Sequence, residues 1–183
     1  MEQLHNLTQF ACGLLKQMLA IEAYSFNETK RADFLCNLLS ETIKDYQGVV
    51  LERIENNILL YNKEKFSASK KTLMLNSHID TVTAASTYTF DPFSPFEKEG
   101  AIYGLGSNDD GGSVVSQIAT FLHLCNRELN VNLVLLLSAE EERSGAKGIS
   151  LAMEKMSIKP DFAIIGEPTG MKAAIAAFIP VGS

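Results

Sequence analysis

Cysteine is scarce in this chain, and long basic or long apolar runs are missing altogether. Cys12, Cys36 and Cys125 are the only three cysteines among 183 residues. They are odd in number, widely spaced and form no C-x-x-C pair, which excludes a zinc ribbon and a redox dithiol. Cys12 and Cys36 fall within helical apolar patterns and are expected to be buried thiols. The opening Met1-Glu2-Gln3-Leu4-His5 has no basic segment leading into an apolar one, so no signal peptide is expected. No apolar stretch approaches the ~20 residues of a membrane span. The formal net charge is −6, which argues against nucleic acid as a partner. A reducing cytoplasm is the expected location, with neither membrane nor nucleic acid as a partner.

What is present is ordinary globular material. Hydrophobic residues make up 46% and charged residues 21%, and this length can bury a sizeable core as one domain. No repeat, low-complexity segment or linker divides residues 1–183. Leu4, Leu7, Phe10, Ala11, Leu14, Leu15 and Met18 recur at helical spacing. Ser25-x-x-Glu28 resembles a capping box ahead of a second helix with Ala32, Leu35, Leu38, Leu39 and Ile43 on its apolar face. Residues 49–54 and 58–61 flank Asn56-Asn57 as a hairpin. Strands are expected at 72–77, 102–103, 132–137 and 162–165, with helices at 113–124 and 145–156 and a loop over 83–99. Strands separated by helices predict an α/β fold with a parallel sheet and right-handed crossovers.

The chemistry-bearing residues cluster where strands end. His78-Ile79-Asp80 follows one apolar run, Glu140-Glu141-Glu142 another, and Gly166-Glu167-Pro168-Thr169 a third. All three runs read as buried strands. In an open parallel sheet ligands bind beyond the carboxyl ends of the strands, so these segments are expected on one rim. A neutral imidazole is a good zinc ligand, and Asp80 could fix its tautomer; alone, His-x-Asp is also a common surface turn. Asp109 lies in Gly104-Leu105-Gly106-Ser107-Asn108-Asp109-Asp110-Gly111-Gly112. Either aspartate would serve as a helix N-cap, and a carboxylate there could equally bridge two cations. The segment is not a dinucleotide fingerprint, and no Gly-Lys-Ser/Thr follows. Three adjacent glutamates are often a solvated turn, but at a sheet rim their repulsion calls for a cation or a shared proton. His5 and His123 read as structural.

Together, His78-Ile79-Asp80-Thr81-Val82, then Tyr103-Gly104-Leu105-Gly106-Ser107-Asn108-Asp109, then Ala139-Glu140-Glu141-Glu142, then Gly166-Glu167-Pro168-Thr169 resemble, in order and spacing, the motifs of one family. It is the acetylornithine deacetylase / succinyl-diaminopimelate desuccinylase family of dinuclear zinc amidohydrolases and exopeptidases. The likeness runs from the first helix to about Ala174, and the acetylornithine-deacetylase branch looks nearest through residues 88–93 and the Gly-Leu-Gly-Ser-Asn-Asp segment. The resemblance implies an α/β three-layer sandwich, with a twisted, mostly parallel sheet between helices, as in the zinc-exopeptidase catalytic domain. It implies that His78 and Glu167 bind one zinc, that Asp109 bridges two, and that Glu142 binds the second; cobalt is an alternative metal. Glu141 would be the general base and Asp80 would orient His78. The implied reaction is hydrolysis of an N-acyl amino acid, a small-molecule substrate, in arginine biosynthesis. The alternatives are a di- or tripeptidase of the same family and a non-catalytic metal-binding remnant.

The pattern departs from the family at three places. Leu105 stands where arginine is frequent. Asp110-Gly111-Gly112 stands where Met-Lys-Gly is frequent, so Asp110 adds a charge near the metals. Members of the family continue into a dimerising lid domain, then return to supply a second histidine ligand. Residues 1–183 correspond to the N-terminal portion of the catalytic domain without either. On that basis impaired turnover is expected of this chain alone, and a homodimer only of a full-length member.

Overall fold

The computed structural model describes residues 2–170 and 172. In it, α1 (Glu2–Leu19) and α2 (Thr29–Thr42) precede the strands β1 (Val49–Ile54), β2 (Asn57–Asn62) and β3 (Thr72–His78). A small hairpin of β4 (Phe96–Lys98) and β5 (Ala101–Tyr103) leads through the turn Ser107–Gly111 into α3 (Gly112–Leu124). Then come β6 (Asn132–Ser138), a 3-10 turn Glu141–Arg143, α4 (Ile149–Lys155) and β7 (Phe162–Ile165).

The main sheet has the order β1-β2-β6-β3-β7. β2 runs antiparallel to both β1 and β6, whereas β3 is parallel to β6 and β7. All strands of this sheet except β2 therefore point the same way. β6 shows how the sequence produces the layers. Its five residues between Asn132 and Ser138 are all apolar and the whole strand is buried, as a strand covered on both faces must be. Leu133, Leu135 and Leu137 pack against α1, α2 and α3 through Leu14, Met18, Leu35, Ile118 and Phe121. Val134 and Leu136 face the other way, with Leu59, Met74 and Ala152 of α4. The expected three-layer α/β sandwich is what forms.

The differences from the sequence reading lie mostly at edges. β7 follows the expected residues but is exposed along its length, with Phe162, Ile164 and Ile165 each about half exposed. An apolar tetrapeptide looks the same whether one neighbour covers it or two. Cys12 is exposed and Cys36 only half-buried, while Cys125 is buried. The hairpin turn sits one residue earlier than expected, at Glu55-Asn56, because Asn57 pairs with Ile54. The span 83–99, expected as loop, contributes β4. α4 starts at Ile149 rather than 145, because the segment before it folds around Glu140. Among the described residues no helix is long and apolar enough to cross a membrane.

The topology positions the site. Register pairs His78 with Ser138 and Asn76 with Ile165, so β3, β6 and β7 end together. The segments beginning at His78, Ala139 and Gly166 leave the sheet from that one rim.

Candidate metal centre

His78 is the last residue of β3, and its side chain is almost wholly buried. Its Nδ1 lies 3.0 Å from the main-chain oxygen of Asp80. A carbonyl can only accept, so Nδ1 carries a proton in either charge state, and Nε2 is the nitrogen that presents its lone pair once the ring is neutral. Nε2 points to Asp109 Oδ1 at 3.2 Å and to Glu141 Oε2 at 3.8 Å. The expected tautomer lock therefore comes chiefly from the Asp80 backbone, with the carboxylate further off, its Oδ1 being 3.4 Å from Nδ1. Burial works against a charge on this imidazole. The Asp80 hydrogen bond and the charges of Asp80, Asp110 and Glu141 outweigh it and raise the His78 pKa to about 10.

The Asp80 carboxylate makes its shorter hydrogen bonds elsewhere. It accepts Ser25 Oγ at 2.7 Å, Glu141 N at 3.0 Å and Glu142 N at 3.2 Å. Burial alone would raise its pKa. Hydrogen bonds from His78, Ser25 and the Glu141 amide win, and hold it below the ordinary carboxylate range. One buried carboxylate thus joins the loop carrying His78 to the turn carrying Glu141 and Glu142. Ser25 and Glu28 form no capping box, because both side chains are drawn to tertiary partners: Ser25 to Asp80 and Glu28 to the Glu140 amide.

Asp109 is held by the glycine-rich turn. Gly106 has φ +78°, and a Cβ there would lie 2.5 Å from Thr81 Cγ2, so glycine is required on both counts. The Asp109–Asp110 peptide is cis. Asp109 faces out over the rim. Asp110 faces in, fully buried, and its Oδ2 accepts the His78 amide at 3.2 Å. Burial raises the Asp110 pKa. Neither aspartate caps α3, which takes no side-chain cap. Ligand atoms of His78, Asp109 and Glu167 all lie within 4.8 Å of one another. Two donors on one tetrahedral zinc, each at about 2 Å, sit roughly 3.3 Å apart. The His78–Asp109 pair, at 3.2 Å, has that spacing, and the nitrogen-and-carboxylate donor set suits a zinc-type cation. Glu142 is not one of these three; desolvation and then the Asp109 charge raise its pKa. Glu167 is also raised, by desolvation first, with the charges of Asp110, Glu141 and Asp109 working against the lowering effect of His78. Acids that crowd one another and share a single imidazole form a centre with an excess of negative charge.

The structure thus brings His78, Asp80, Asp109, Glu141, Glu142 and Glu167 to one place. Sequence reasoning missed the residues beneath them. Asn57, Glu28 and Arg31 are buried polar side chains that hold main-chain groups of the two loops. Only the burial of charged residues within an apolar helical face could have signalled the last two. Glu140 is structural: its Oε2 accepts the Lys147 amide at 2.9 Å.

The chain is similar to known proteins. The chain is 32% identical over 169 residues to the acetylornithine deacetylase of Proteus mirabilis (strain HI4320), spanning 87% of this chain and 42% of that protein. It is 32% identical over 164 residues to the succinyl-diaminopimelate desuccinylase of Sulfurimonas denitrificans, spanning 85% and 41%. The chain therefore covers about two-fifths of the length of these relatives. Its structure resembles that of an M20 family metallo-carboxypeptidase from Sulfolobus solfataricus, with a TM-score of 0.62 at 25% identity over 85% of this chain and 37% of that one. The profile described as peptidase family M20/M25/M40 matches residues 74–179, further than the likeness read to about Ala174; the last of these residues lie outside those described. Motifs, sheet rim and sequence likeness converge, and the chain belongs to peptidase family M20/M25/M40.

Proposed function

We propose that residues 1–183 are the N-terminal portion of the catalytic domain of a zinc-dependent amidohydrolase that cleaves N-acyl amino acids. The observation that carries this reading is the convergence of His78, Asp109 and Glu167 within 4.8 Å of one another, with Glu141 3.8 Å from His78. His78 Nε2 and Glu167 would hold one zinc, Asp109 would bridge to a second, and Glu142 would hold that second ion. Zinc bound there supplies Lewis acidity, which lowers the pKa of a water and polarises an amide carbonyl. Glu141 takes the proton from the attacking water and delivers it to the departing amine. Its amide is fixed by Asp80 while its side chain is about half exposed, so it can reach a substrate. His78 would hold the ion as a neutral imidazole, and the Asp80 backbone keeps the ring aimed. The two deacylase relatives support an N-acyl amino acid as substrate; a lid domain and a homodimer belong to the proposal for the full-length protein, and a cytoplasmic location goes with it.

The metallo-carboxypeptidase likeness favours one other reading, an exopeptidase. Zinc titration of the purified protein and of Glu142→Ala and Glu167→Ala variants tests the centre. Zinc uptake indifferent to both substitutions would refute the assignment. Assay of N-acetylornithine, N-succinyl-diaminopimelate and dipeptides side by side then separates deacylase from peptidase.

A further inference from the structure

Four consecutive amides leave the end of β6, and each donates to a buried side chain from elsewhere. Ala139 N donates to Asn57 Oδ1 at 3.0 Å and Glu140 N to Glu28 Oε1 at 2.9 Å. Glu141 N and Glu142 N donate to the two oxygens of Asp80, at 3.0 and 3.2 Å. Asn57, Glu28 and Asp80 are each at most 1% exposed. Glu140 sits in the left-handed region at φ +56°, a conformation that a non-glycine residue keeps only when its surroundings enforce it. The Gly145 and Lys147 amides hold Glu140 from its C-terminal side, and Glu28 holds its amide, reaching across 112 positions of sequence. Three residues on, at the start of α2, buried Arg31 donates Nη1 to the main-chain oxygen of Ile79 at 2.8 Å and Nη2 to that of Ile21 at 2.6 Å. The start of α2 therefore grips the backbone between His78 and Asp80 and the backbone just before Glu141.

We propose that Glu28 is a positioning residue for the reaction: through the Glu140 amide it sets the turn that aims Glu141 and Glu142 at the metal rim. The proposal rests on the roles given above to Glu141 and Glu142. It accounts for Oε1 of a carboxylate held at zero exposure beside other acids, an arrangement that burial disfavours unless the carboxylate meets a donor; Oε2 meets none among the described residues. Glu28 touches no substrate; it acts through the position of the turn.

The test uses the full-length zinc-loaded protein, with amide hydrogen exchange and steady-state hydrolysis of N-acetylornithine measured on Glu28→Ala and Glu28→Gln. In Glu28→Ala the amides of 140–142 should exchange at least about tenfold faster while those of β6 are unchanged. Its kcat should fall about 10–100-fold, the range for residues that orient ligands from behind, with KM within about twofold. Glu28→Gln keeps an accepting oxygen in the same shape and should restore both. Unchanged protection of 140–142 in Glu28→Ala overturns the proposal whatever the turnover, as does a loosened turn with unchanged kcat. Should Glu28→Ala fail to fold, Glu28→Gln decides: a protected turn with lost turnover would mean that charge, not positioning, is what matters. A Glu141→Ala control separates the two readings. If it retains turnover, the assignment of the base fails, while hydrogen exchange still decides whether Glu28 holds the turn.

Discussion

Asp80→Asn is the sharpest perturbation the structure offers, because it changes one atom of a buried hub and keeps its shape. Asp80 is 1% exposed and accepts Ser25 Oγ, Glu141 N and Glu142 N. Asparagine turns one accepting oxygen into a donor. Ser25 can rotate and accept, but one of the two amides is left facing N–H groups. A hydrogen bond to a charged group contributes ~1.5–3 kcal/mol, and a buried donor left unpaired costs ~1–3 kcal/mol. These overlap, so the net loss should be about 2–4 kcal/mol. For a chain of this size that lowers Tm by roughly 5–15 °C. Arg31 also loses an opposing charge; burial lowers its pKa to about 10 against the pull of Asp80. The deficit has a defined pH window. The Asp80 pKa is depressed in the fold, so its contribution is present above the unfolded value and lost as pH falls through the folded one. The His78 pKa is raised, so its contribution is present below its unfolded value near 6.5 and lost as pH rises through about 10. Wild type and Asp80→Asn should differ most between these limits and converge in acid. Thermal melts of metal-free protein followed by circular dichroism at pH 3, 7 and 10, with zinc affinity at pH 7, provide the assay. Zinc should bind about 10–100-fold more weakly. A variant melting within about 2 °C of wild type at pH 7, with the same zinc affinity, would refute the reasoning.

Zinc requires a neutral imidazole, and His78 holds its proton up to about pH 10 in the metal-free protein. Zinc binding at pH 7.5 should therefore release about one proton from His78, read by calorimetry in buffers of different ionisation enthalpy; no buffer dependence would contradict it. Gly166 packs so that a Cβ would collide with Ser77 Oγ and Ser113 Cβ. Gly166→Ala should cost about 1–3 kcal/mol in urea denaturation and weaken zinc binding through displacement of Glu167, with partial recovery in a Gly166→Ala, Ser113→Gly double variant; wild-type stability would rule out the packing argument. Phe121 is fully buried between α3 and the sheet, so Phe121→Ala should lose about 3–5 kcal/mol in the same denaturation, and a loss below about 1 kcal/mol would mean that the face is not packed as described.

What was legible in the sequence and what was not divide along a physical line. β6 and α3 could be read because their patterns state their own burial: an unbroken apolar run covered on both faces, and an apolar stripe at helical spacing. The acids and His78 could be found because strand ends bring their side chains to one rim whatever the rest of the chain does. β7 reads as buried yet is exposed, since Phe162–Ile165 says nothing about how many neighbours cover it. α4 was drawn too long, since Gly145 and Lys147 direct their amides to the Glu140 backbone oxygen and carboxylate rather than to a helix. Ser25-x-x-Glu28 is the most instructive case. Locally it resembles a capping box worth about 1 kcal/mol. In the fold, Ser25 meets the buried charge of Asp80, 55 positions away, and Glu28 meets the Glu140 amide, 112 positions away. A hydrogen bond inside a dry interior, charge-assisted at Asp80, is stronger than a solvated cap, so the tertiary partners win. Motif positions thus name the groups that face the metal, while the groups that aim them come from segments whose local pattern signals something else. The family profile, matched at residues 74–179, does not reach Ser25, Glu28, Arg31 and Asn57, the side chains on which the geometry of that motif region rests, although the likeness to the deacetylase relative spans 87% of the chain.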